Sequence, residues 1–398
     1  MNIVILTETL VTGGAETFVL RLASALHRRG KRVLIYVLRA DKFDPVLAHS
    51  IAPGIGLELG RIPCLKLILK LDGFLFRLGI GAGLLRWLQA LRLRAYLVSV
   101  RPDVVHAHLF TSDLVTARAA GPLGIPWVTT MHGDYEAFEK QGRNRAARIT
   151  DFGRALLEVE RSVGHMVCIT NPQMTQLGRL LPHLAAKGGI SKIYNGYAAG
   201  DEATDGDAPL AISHISPDAF VIGMVARGIR EKGWEVLIAA FLEGQLPNSW
   251  LVLVGDGDYL QQIRSSIQHP RIVFAGNVID PLRYIARFDV GCLPSWLKAE
   301  SLPTVVIEYL YLGKPVIATN VGELSAMLDA NGDAPAGLLI ELDSVEEMVK
   351  QMKAALQHIY SNKTQREFLQ KNTISALKKF DMDQCVDAYL DVYKSVQA

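Results

Sequence analysis

Short apolar segments alternate with helical stretches along this chain, and the alternation runs twice, once in each half. Segments that are apolar on both faces are typical of buried parallel strands. The predicted strands are Ile3–Leu6, Val33–Val37, Val104–His106, Val128–Met131, Met166–Ile169, Val221–Val225, Leu251–Val254, Ile272–Phe274, Val290–Leu293 and Val316–Ala318. The predicted helices include Glu16–Arg29, Ser112–Ala120, Ile149–Val163, Trp234–Leu242, Tyr259–Gln268, Pro281–Arg287 and Thr304–Leu312. Two such strings predict an α/β chain with two doubly wound domains, each built on a parallel sheet.

The boundary between the domains is predicted in the segment 195–217, which is rich in Gly, Ala, Asp and Pro. The first domain is expected to span residues 1–197 and the second 198–381, followed by a helical stretch at Met382–Gln397. The 398 residues are enough for two hydrophobic cores. Ligands of such sheets bind at the carboxyl ends of the strands, so two domains facing across a cleft could share a nucleotide-containing ligand.

The charge balance and the cysteines exclude several classes of protein. The 42 basic and 40 acidic residues leave a net charge of +2, which gives no argument for nucleic-acid binding. The four cysteines form no CxxC pair, so a reducing compartment is expected, without a disulfide framework or a zinc site. The first residues are predicted to form a strand rather than a signal peptide, which favours a cytoplasmic protein.

The region Ile62–Ser99 stands out because six basic residues and one acid, Asp72, are spaced along a Leu-rich helical pattern. Its longest uncharged apolar run, Leu78–Leu85, is far shorter than the ~20 residues that span a bilayer. Two interpretations stay open: amphipathic helices packed on the sheet, or helices that also contact an anionic membrane surface. The glycine-rich run at 79–83 follows no predicted strand and is not interpreted as a phosphate loop.

A nearly uncharged segment of the second half, ESLPTVVIE, carries one carboxylate at each end, Glu300 and Glu308. The helix predicted from Thr304 would offer its N-terminal amides, near Leu302 and Pro303, to a phosphate. Glu300 precedes this helix and Glu308 lies about one turn into it. Both carboxylates are therefore expected to point into the cleft, at different depths.

Further candidate groups follow other strands of the second half. Arg227 and Lys232 supply two cations that suit a diphosphate, unless Glu231 pairs one of them in a solvated loop. The loop Gly276-Asn277-Val278 either presents backbone groups to a flat base or simply turns. Asp256-Gly257-Asp258 is interpreted as a turn rather than a metal-binding DxD, because no further oxygen ligand is indicated.

In the first half, Thr12-Gly13-Gly14 precedes a predicted helix. The two glycines would let the backbone approach an anion at the helix N-terminus, although an ordinary turn has the same composition. His106 and His108 end one strand and His132 ends the next. The HxH spacing suggests a metal, but no third ligand is marked. Histidines at a cleft rim are instead expected to bond a sugar hydroxyl or a phosphate.

Taken together, these pieces resemble the retaining glycosyltransferases of family 4, whose GT-B fold has two Rossmann-like domains facing across a cleft. The resemblance covers most of the chain. Its most specific parts are Glu300-(x7)-Glu308, the GKPVIA at 313–318, and Arg227-(x4)-Lys232-Gly233 upstream. The weaker matches are Gly13-Gly14-Ala15-Glu16, His106-Ala107-His108, Met131-His132-Gly133 and Tyr194-Asn195-Gly196. One departure lies at Val321-Gly322-Glu323-Leu324, where the family often has Gly-Gly-x-x-Glu.

The resemblance implies how the donor is held. Glu308 would bind the ribose hydroxyls and Glu300 the hydroxyls of the donor sugar. Arg227 and Lys232 would hold the diphosphate and stabilise the charge that develops as it leaves. The amides near Leu302, Pro303 and Thr304, with Gly13 and Gly14, would add to this, and the base would meet Gly276, Asn277 and Val278.

The resemblance also implies that His132 lies near the anomeric carbon and that the C-terminal helix, 382–398, returns to the first domain. The implied enzyme, of hexosyltransferase type, moves a sugar with retention from a nucleotide-diphosphate sugar to an acceptor hydroxyl. A leaving phosphate oxygen takes the acceptor's proton, so no metal or other cofactor is required.

The expected acceptor is a saccharide, lipid-linked at the cytoplasmic face of the membrane, in the synthesis of lipopolysaccharide, capsule or exopolysaccharide. Two alternatives are another GT-B enzyme, such as a nucleotide-sugar 2-epimerase, and a non-catalytic nucleotide-sugar-binding scaffold. The spaced glutamates argue against the epimerase. The presence of Arg227 and Lys232 beside those glutamates argues against the scaffold.

Overall fold

The computed structural model describes residues 1–11, 13–78, 83–135, 139–140, 151–198, 209–297, 300–330, 332 and 334–397. The chain divides into two compact units. The first unit is Met1–Ala198 with Asp381–Ala398, and the second is Ala199–Phe380.

The first unit contains a parallel sheet in the order β3-β2-β1-β4-β5-β6-β7. Its strands are β1 Asn2–Thr7, β2 Arg32–Val37, β3 Gly56–Leu59, β4 Val104–His108, β5 Trp127–Met131, β6 His165–Cys168 and β7 Ile190–Lys192. Successive residues of β1 enter two different hydrophobic cores, Ile3 and Ile5 on one face and Val4 and Leu6 on the other. This explains why β1 is apolar on both faces from Ile3 to Leu6.

Helices cover both faces of this sheet. They are α1 Gly14–Arg28, α2 Pro45–Ile51, α3 Leu65–Arg77, α4 Leu84–Val100, α5 Phe110–Ala119, α6 Phe152–Glu160, α7 Asn171–Leu180 and α8 Pro182–Ala186. The C-terminal helix, Met382–Ser395, starts at Asp381, whose carboxylate accepts from the Gln384 amide at 2.8 Å. Its Tyr389 and Tyr393 are buried in the same core as α1.

The second unit contains a parallel sheet in the order β10-β9-β8-β11-β12-β13. Its strands are β8 Phe220–Val225, β9 Ser249–Val254, β10 Ile272–Gly276, β11 Val290–Leu293, β12 Val316–Thr319 and β13 Gly337–Ile340. Its helices are α9 Trp234–Gly244, α10 Asp258–Ser266, α11 Leu282–Ile285, α12 Thr304–Tyr311, α13 Leu324–Leu328, α14 Val345–Ser361 and α15 Lys363–Leu377, and the C-terminal helix of the first unit is α16.

The α/β prediction with two parallel sheets is confirmed, and every predicted strand forms within a few residues of its expected bounds. Three edge strands, β3, β7 and β13, were not predicted, because each is only three or four residues long. The helix predicted at Pro281–Arg287 is only the single turn α11. The helix predicted at Ile149–Val163 is present as α6, which begins after the capping residue Asp151. Residues 149 and 150 lie outside the described part of the chain.

Candidate active site

In each sheet the strand order reverses at the middle, between β1 and β4 and between β8 and β11. At such a reversal, the loops that follow the two neighbouring strands run in opposite directions. They leave a crevice at the carboxyl ends of these strands, and ligands bind there. The candidate residues of the second unit lie in the loops that follow β8 and β11.

A buried ion pair bridges this reversal point in the second unit. Lys232, in the loop after β8, places its Nζ 2.5 Å from Oε2 of Glu300, in the loop after β11. Their side chains are 10% and 7% exposed, respectively. The sequence places the Glu300 carboxylate in the cleft but does not indicate that it is enclosed together with the Lys232 ammonium, as the structure shows. Residues 298–299, just before it, lie outside the described part of the chain.

Backbone geometry fixes Lys232 in this position. Residues Arg230–Lys232 form one 3-10 turn, and Gly233 follows with a φ of +81°. A Cβ at Gly233 would lie 1.9 Å from the carbonyl oxygen of Pro294, so only glycine fits there. The carbonyl of Glu231 accepts from the Trp296 amide at 2.9 Å, which ties the β8 loop to the β11 loop.

Arg227 differs from Lys232 in its surroundings. It is exposed and forms no ion pair with any described residue. Its carbonyl accepts from Nε1 of Trp234 at 3.1 Å, which holds the backbone while the guanidinium stays accessible. Glu231 pairs neither cation within the described chain, and its side chain is exposed like that of Arg227. The loop thus presents one accessible cation and one buried cation.

The helix α12 begins at Pro303 and Thr304, as predicted, with Leu302 buried just before it. Glu308 is half-buried one turn into the helix. Tyr309 anchors this helix to the sheet: its hydroxyl accepts from the Val225 amide at 2.9 Å and lies 3.4 Å from the Cys292 carbonyl. Sequence reasoning missed Tyr309, since an aromatic residue in an apolar helix gives no separate signal.

Gly322 lies in the segment that departs from the family pattern, and its backbone packs closely on the loop that carries Glu300. Its φ is +58°, and a Cβ there would lie 1.8 Å from the carbonyl oxygen of Glu300. The Glu323 amide donates to the Ser301 carbonyl at 3.2 Å. The loop after β12 therefore packs directly on the backbone that carries Glu300, and the glycine that this contact needs is present.

The other candidate loops of the second unit have simpler geometry. Gly276 ends β10 and its carbonyl accepts from the Gly255 amide at 2.8 Å, while Asn277 is exposed and Val278 half-buried. Asp256 accepts from the Gly257 amide at 2.8 Å and from Gln261 at 3.0 Å, as a turn before α10. Among the described residues no group of three or more His, Cys, Asp or Glu could hold a metal ion.

In the first unit, Gly13 and Gly14 open α1, Gly13 in extended backbone before its first turn. Thr12 lies outside the described residues. The Thr17 amide and hydroxyl both donate to the Gly13 carbonyl at 2.9 Å. The predicted helix start after β1 is therefore present, and no side-chain hydrogen bond caps it.

Three histidines form a buried cluster at the carboxyl ends of β4 and β5. Nδ1 of His108 lies 2.8 Å from Nε2 of His132. His106 bonds the Tyr393 hydroxyl at 2.7 Å and Thr130 Oγ1 at 2.8 Å. The expectation that His106 and His108 would bond substrate at a rim was wrong, because both are 0% exposed and bonded within the protein.

Burial determines the protonation of this cluster. It lowers the pKa of His106 and of His132 to about 3, and it lowers the pKa of His108 well below its ordinary value. Nearby, burial raises the pKa of Asp113 to about 7, against hydrogen bonds from Thr129 and Tyr135. The HxH pattern was the sequence signal for the cluster, whereas nothing in the sequence indicated Asp113.

The described structure thus brings together Lys232, Glu300, Gly322 and the start of α12 in the second unit, with Arg227 on the same β8 loop. In the first unit it joins His132 to His108 by a hydrogen bond. His106 is joined to the tyrosines of α16, directly to Tyr393 and through Thr130 to Tyr389, whose hydroxyl lies 2.9 Å from Thr130 Oγ1. The roles expected for these residues remain predictions.

Comparison with known proteins agrees with this architecture. The family model "Glycosyltransferase Family 4" matches residues 12–198, and the model "Glycosyl transferases group 1" matches residues 219–358. The chain is 27% identical over 389 residues to the lipopolysaccharide core biosynthesis glycosyltransferase LpsD of Rhizobium meliloti, covering 96% of this chain and 95% of that protein.

A second relative is the UDP-Gal:alpha-D-GlcNAc-diphosphoundecaprenol alpha-1,3-galactosyltransferase of Escherichia coli, 25% identical over 307 residues, or 73% of this chain and 75% of that protein. Among solved structures, sucrose-phosphate synthase of Thermosynechococcus elongatus superposes with a TM-score of 0.71 at 20% identity, covering 99% and 98% of the two chains. Two matched family models and two reversing parallel sheets lead to one conclusion: the chain belongs to the family 4 (group 1) glycosyltransferases and has the GT-B fold.

Proposed function

We propose that this glycosyltransferase moves a sugar, with retention of configuration, from a nucleotide-diphosphate sugar to a hydroxyl of a lipid-linked saccharide in surface-polysaccharide synthesis. The single observation that carries the donor assignment is the Lys232–Glu300 pair at the reversal point of the second sheet, with the accessible guanidinium of Arg227 on the same loop. A diphosphate needs cations, and a sugar needs a hydrogen-bond acceptor beside it.

In the proposed reaction the bond between the anomeric carbon and the diphosphate oxygen breaks, and a bond from the acceptor oxygen to that carbon forms on the same face. The leaving phosphate oxygen takes the acceptor's proton, so the products are a nucleoside diphosphate and a glycoside. Arg227 and Lys232 stabilise the charge that develops on the leaving group, and this stabilisation lowers the barrier. Glu300 binds a hydroxyl of the sugar and His132 acts near the anomeric carbon.

The remaining candidate groups hold the donor in this proposal. Glu308, half-buried in α12, binds the ribose hydroxyls. The amides at the start of α12, near Leu302, Pro303 and Thr304, and those after Gly13 and Gly14 add hydrogen bonds to phosphate. The turn of Gly276, Asn277 and Val278 faces the base with backbone groups in this proposal, so base identity is not encoded in a single side chain.

The acceptor assignment has two supports. The relative LpsD is named for lipopolysaccharide core biosynthesis, and the name of the E. coli galactosyltransferase gives a diphosphoundecaprenol-linked acceptor. The second support is α3, whose only buried residue is the acid Asp72. No helix among the described residues is long and apolar enough to cross a bilayer.

The outward face of α3 is apolar, which is the reverse of an ordinary amphipathic surface helix. The exposed residues follow helical spacing: Leu67, Leu71, Phe74 and Leu78 are 66%, 44%, 57% and 56% exposed. Lys66, Lys70 and Arg77 are exposed around this stripe. An apolar stripe bordered by cations suits the interface of an anionic bilayer. The proposal therefore has α3 resting on the inner face of the cell membrane, where a lipid-linked acceptor is presented.

A panel of UDP-, GDP- and ADP-sugars tests the donor assignment by thermal stabilisation and by slow donor hydrolysis. A bound donor stabilises the folded state by mass action, so a weak donor registers at high concentration. We expect one nucleotide class to stabilise the protein and its sugar to be released. Glu308→Gln should weaken stabilisation by the nucleoside diphosphate without changing the unfolding temperature of the free protein. The proposal would be contradicted, and a scaffold favoured, if no nucleotide-sugar stabilised the protein or was hydrolysed and free nucleoside diphosphates also failed to bind.

A further inference from the structure

Glu8, the residue after β1, places a carboxylate at the reversal point of the first sheet. β1 and β4 are neighbours there, and the carboxyl ends of such strands border a crevice within the first unit. One carboxylate oxygen of Glu8 accepts from the hydroxyl of Thr111, in the first turn of α5 after β4. The other accepts from Nη2 of Arg86, in α4, at 3.0 Å. Glu8 therefore links the β1 side of this crevice to the β4 side.

Arg86 is enclosed, whereas Glu8 reaches the solvent. The Arg86 side chain is 10% exposed, and its Nη1 donates to Oε1 of Gln89 at 3.0 Å. Gln89 is buried, and its amide donates to the Leu38 carbonyl after β2 at 3.3 Å. The Glu8 side chain is 21% exposed. The buried cation therefore fixes the pair, and the carboxylate is the part of it that a ligand can contact.

The Glu8 carboxylate is ionised and keeps capacity for further hydrogen bonds. Burial raises its pKa, but the charge of Arg86 and the hydrogen bonds from Thr111 and Arg86 lower it more, so the pKa of Glu8 lies below its ordinary value. The nearby Arg39 is engaged by Asp41, to which it donates two hydrogen bonds at 2.8 and 2.7 Å. An ionised carboxylate only accepts hydrogen bonds, at about four lone-pair sites. Arg86 and Thr111 occupy two of these sites, which leaves room for donors of a ligand.

The turn between β4 and α5 is strained where it supports this contact. Leu109, between the two elements, has a φ of +73° and a ψ of 145°, a conformation that glycine tolerates and a bulky side chain seldom adopts. The Ser112 and Asp113 amides donate to the Leu109 carbonyl at 3.0 and 3.2 Å, so α5 starts at once. This tight start sets the Thr111 hydroxyl against Glu8. Strained backbone of this kind concentrates at ligand-binding sites, which agrees with a binding role for this edge.

The helix that carries Arg86 also belongs to the apolar surface of the first unit. Trp87, next to Arg86, is exposed, and so are Leu91 and Val98 further along α4. α4 packs against α3, whose outward stripe we propose to rest on the membrane. The residue that fixes the Glu8 carboxylate and the surface proposed for lipid contact are thus parts of one helix pair.

We infer that Glu8 contacts a hydroxyl of the acceptor saccharide, and that Arg86 is a positioning residue, which holds this carboxylate in place. The inference deepens the proposed function and rests on it. A carboxylate accepts hydrogen bonds from sugar hydroxyls and repels phosphate and carboxylate groups. The sugar that this site receives is therefore a neutral one.

Short glycolipids test this assignment with the donor found in the nucleotide-sugar panel. The acceptors are the octyl glycosides of glucose, galactose, mannose and N-acetylglucosamine, with octyl glucuronide as the anionic member. We expect transfer to at least one neutral glycoside and none to the glucuronide. Glu8→Gln should raise the KM for that glycoside about tenfold or more, with a smaller change in kcat, because it removes a hydrogen bond to a charged group. Stabilisation by the donor, which the second unit binds in the proposal, should stay as in the wild type.

Glu8→Gln also deprives Arg86 of its anionic partner, which weakens the fold. The variant Glu8→Gln with Arg86→Met removes both charges and should recover stability to urea, while the acceptor KM stays raised. Glu158→Gln is the matched control. Glu158 accepts two hydrogen bonds from Arg118, at 2.6 and 2.9 Å, at the last turn of α5 and so at the opposite edge of the sheet. This variant should leave the acceptor KM unchanged.

Three results would overturn the inference while donor binding in the panel still stands. The first is an unchanged acceptor KM in Glu8→Gln. The second is transfer to none of the neutral glycosides by the wild type. The third is recovery of the acceptor KM together with stability in the double variant, which would give the pair a structural role only. If no nucleotide-sugar stabilises the protein, the proposed function fails and this inference falls with it.

Discussion

Lys232 and Glu300 are 68 residues apart in the sequence, yet their side chains form a buried ion pair across the reversal point of the second sheet. Neither charge is well solvated, so each depends on the other. The pair therefore has two functions in our proposal. It holds the β8 and β11 loops together, and it offers the donor a carboxylate and an ammonium already fixed in position.

Glu300→Ala should abolish transfer and also destabilise the protein, because it leaves the Lys232 ammonium buried without its partner. Breaking such a pair costs about 3–5 kcal/mol. Urea unfolding of the variant measures this loss. The variant Lys232→Met with Glu300→Gln removes both charges and should recover much of the stability without activity. Glu300→Ala with wild-type stability would contradict the importance of the pair.

Arg227→Ala should weaken binding of the nucleoside diphosphate with little change in stability, since its guanidinium is exposed and makes no ion pair within the described chain. A hydrogen bond to a charged group is worth about 1.5–3 kcal/mol, or roughly 10–100-fold in affinity. Calorimetric titration measures it. The matched control is Arg230→Ala, because the Arg230 side chain is 64% exposed on the same loop and lies 3.5 Å from Glu235. Equal losses of affinity in both variants would mean that only the total positive charge of the loop matters, not the position of Arg227.

Removal of divalent metal should leave transfer unchanged. The proposed stabilisation of the leaving diphosphate comes from Arg227 and Lys232. Initial rates with and without EDTA, using the donor found in the panel, measure this. A rate that falls in EDTA and returns with added Mg²⁺ or Mn²⁺ would show that a metal shares the charge.

Replacing the outward residues Leu67, Leu71 and Phe74 by serine should abolish flotation with vesicles of anionic lipid. The loss is expected because these side chains supply the apolar area that enters the interface. The control replaces Phe368 and Ile374 of α15, 45% and 67% exposed, by serine. It should still float. A wild-type protein that stays unbound at low salt would remove the membrane contact from the proposal.

Stability should fall as the pH drops below about 6.5, because the buried histidines bind protons only when the protein unfolds. Their folded pKa values lie below the unfolded value, so their contribution is complete above about pH 6.5 and is lost toward pH 3. Asp113 acts in the opposite direction. Its folded pKa of about 7 adds stability at low pH, and this is lost as the pH rises toward 7.

Asp113→Asn isolates the second effect. Without the carboxylic acid, the acid-induced loss between about pH 4 and 6.5 should steepen by one proton, about 1.4 kcal/mol per pH unit. Urea unfolding of wild type and variant at several pH values measures the two slopes. Equal slopes of the unfolding free energy against pH would mean that Asp113 is ionised in the folded protein. A shallower slope in the variant would mean that the folded pKa of Asp113 is lowered rather than raised.

The sequence by itself determined the two parallel sheets, their central strands and the order of the loops that carry Arg227, Lys232, Glu300 and Glu308. These features follow from local apolar periodicity and from helix-start signals, which each segment carries independently of the others. The short edge strands were not predicted from the sequence, because they bury little surface and their apolar pattern is correspondingly weak.

Only the tertiary structure decided which polar groups meet. Lys232 pairs with Glu300 because β8 and β11 are neighbours in the sheet, and His106 bonds Tyr393 because α16 packs against α1 and β5. Burial and partner choice depend on contacts between distant segments, and no local pattern encodes these contacts. For that reason the sequence named the charged residues of the site, but the fold determined which of those charges are enclosed and which remain accessible to a ligand.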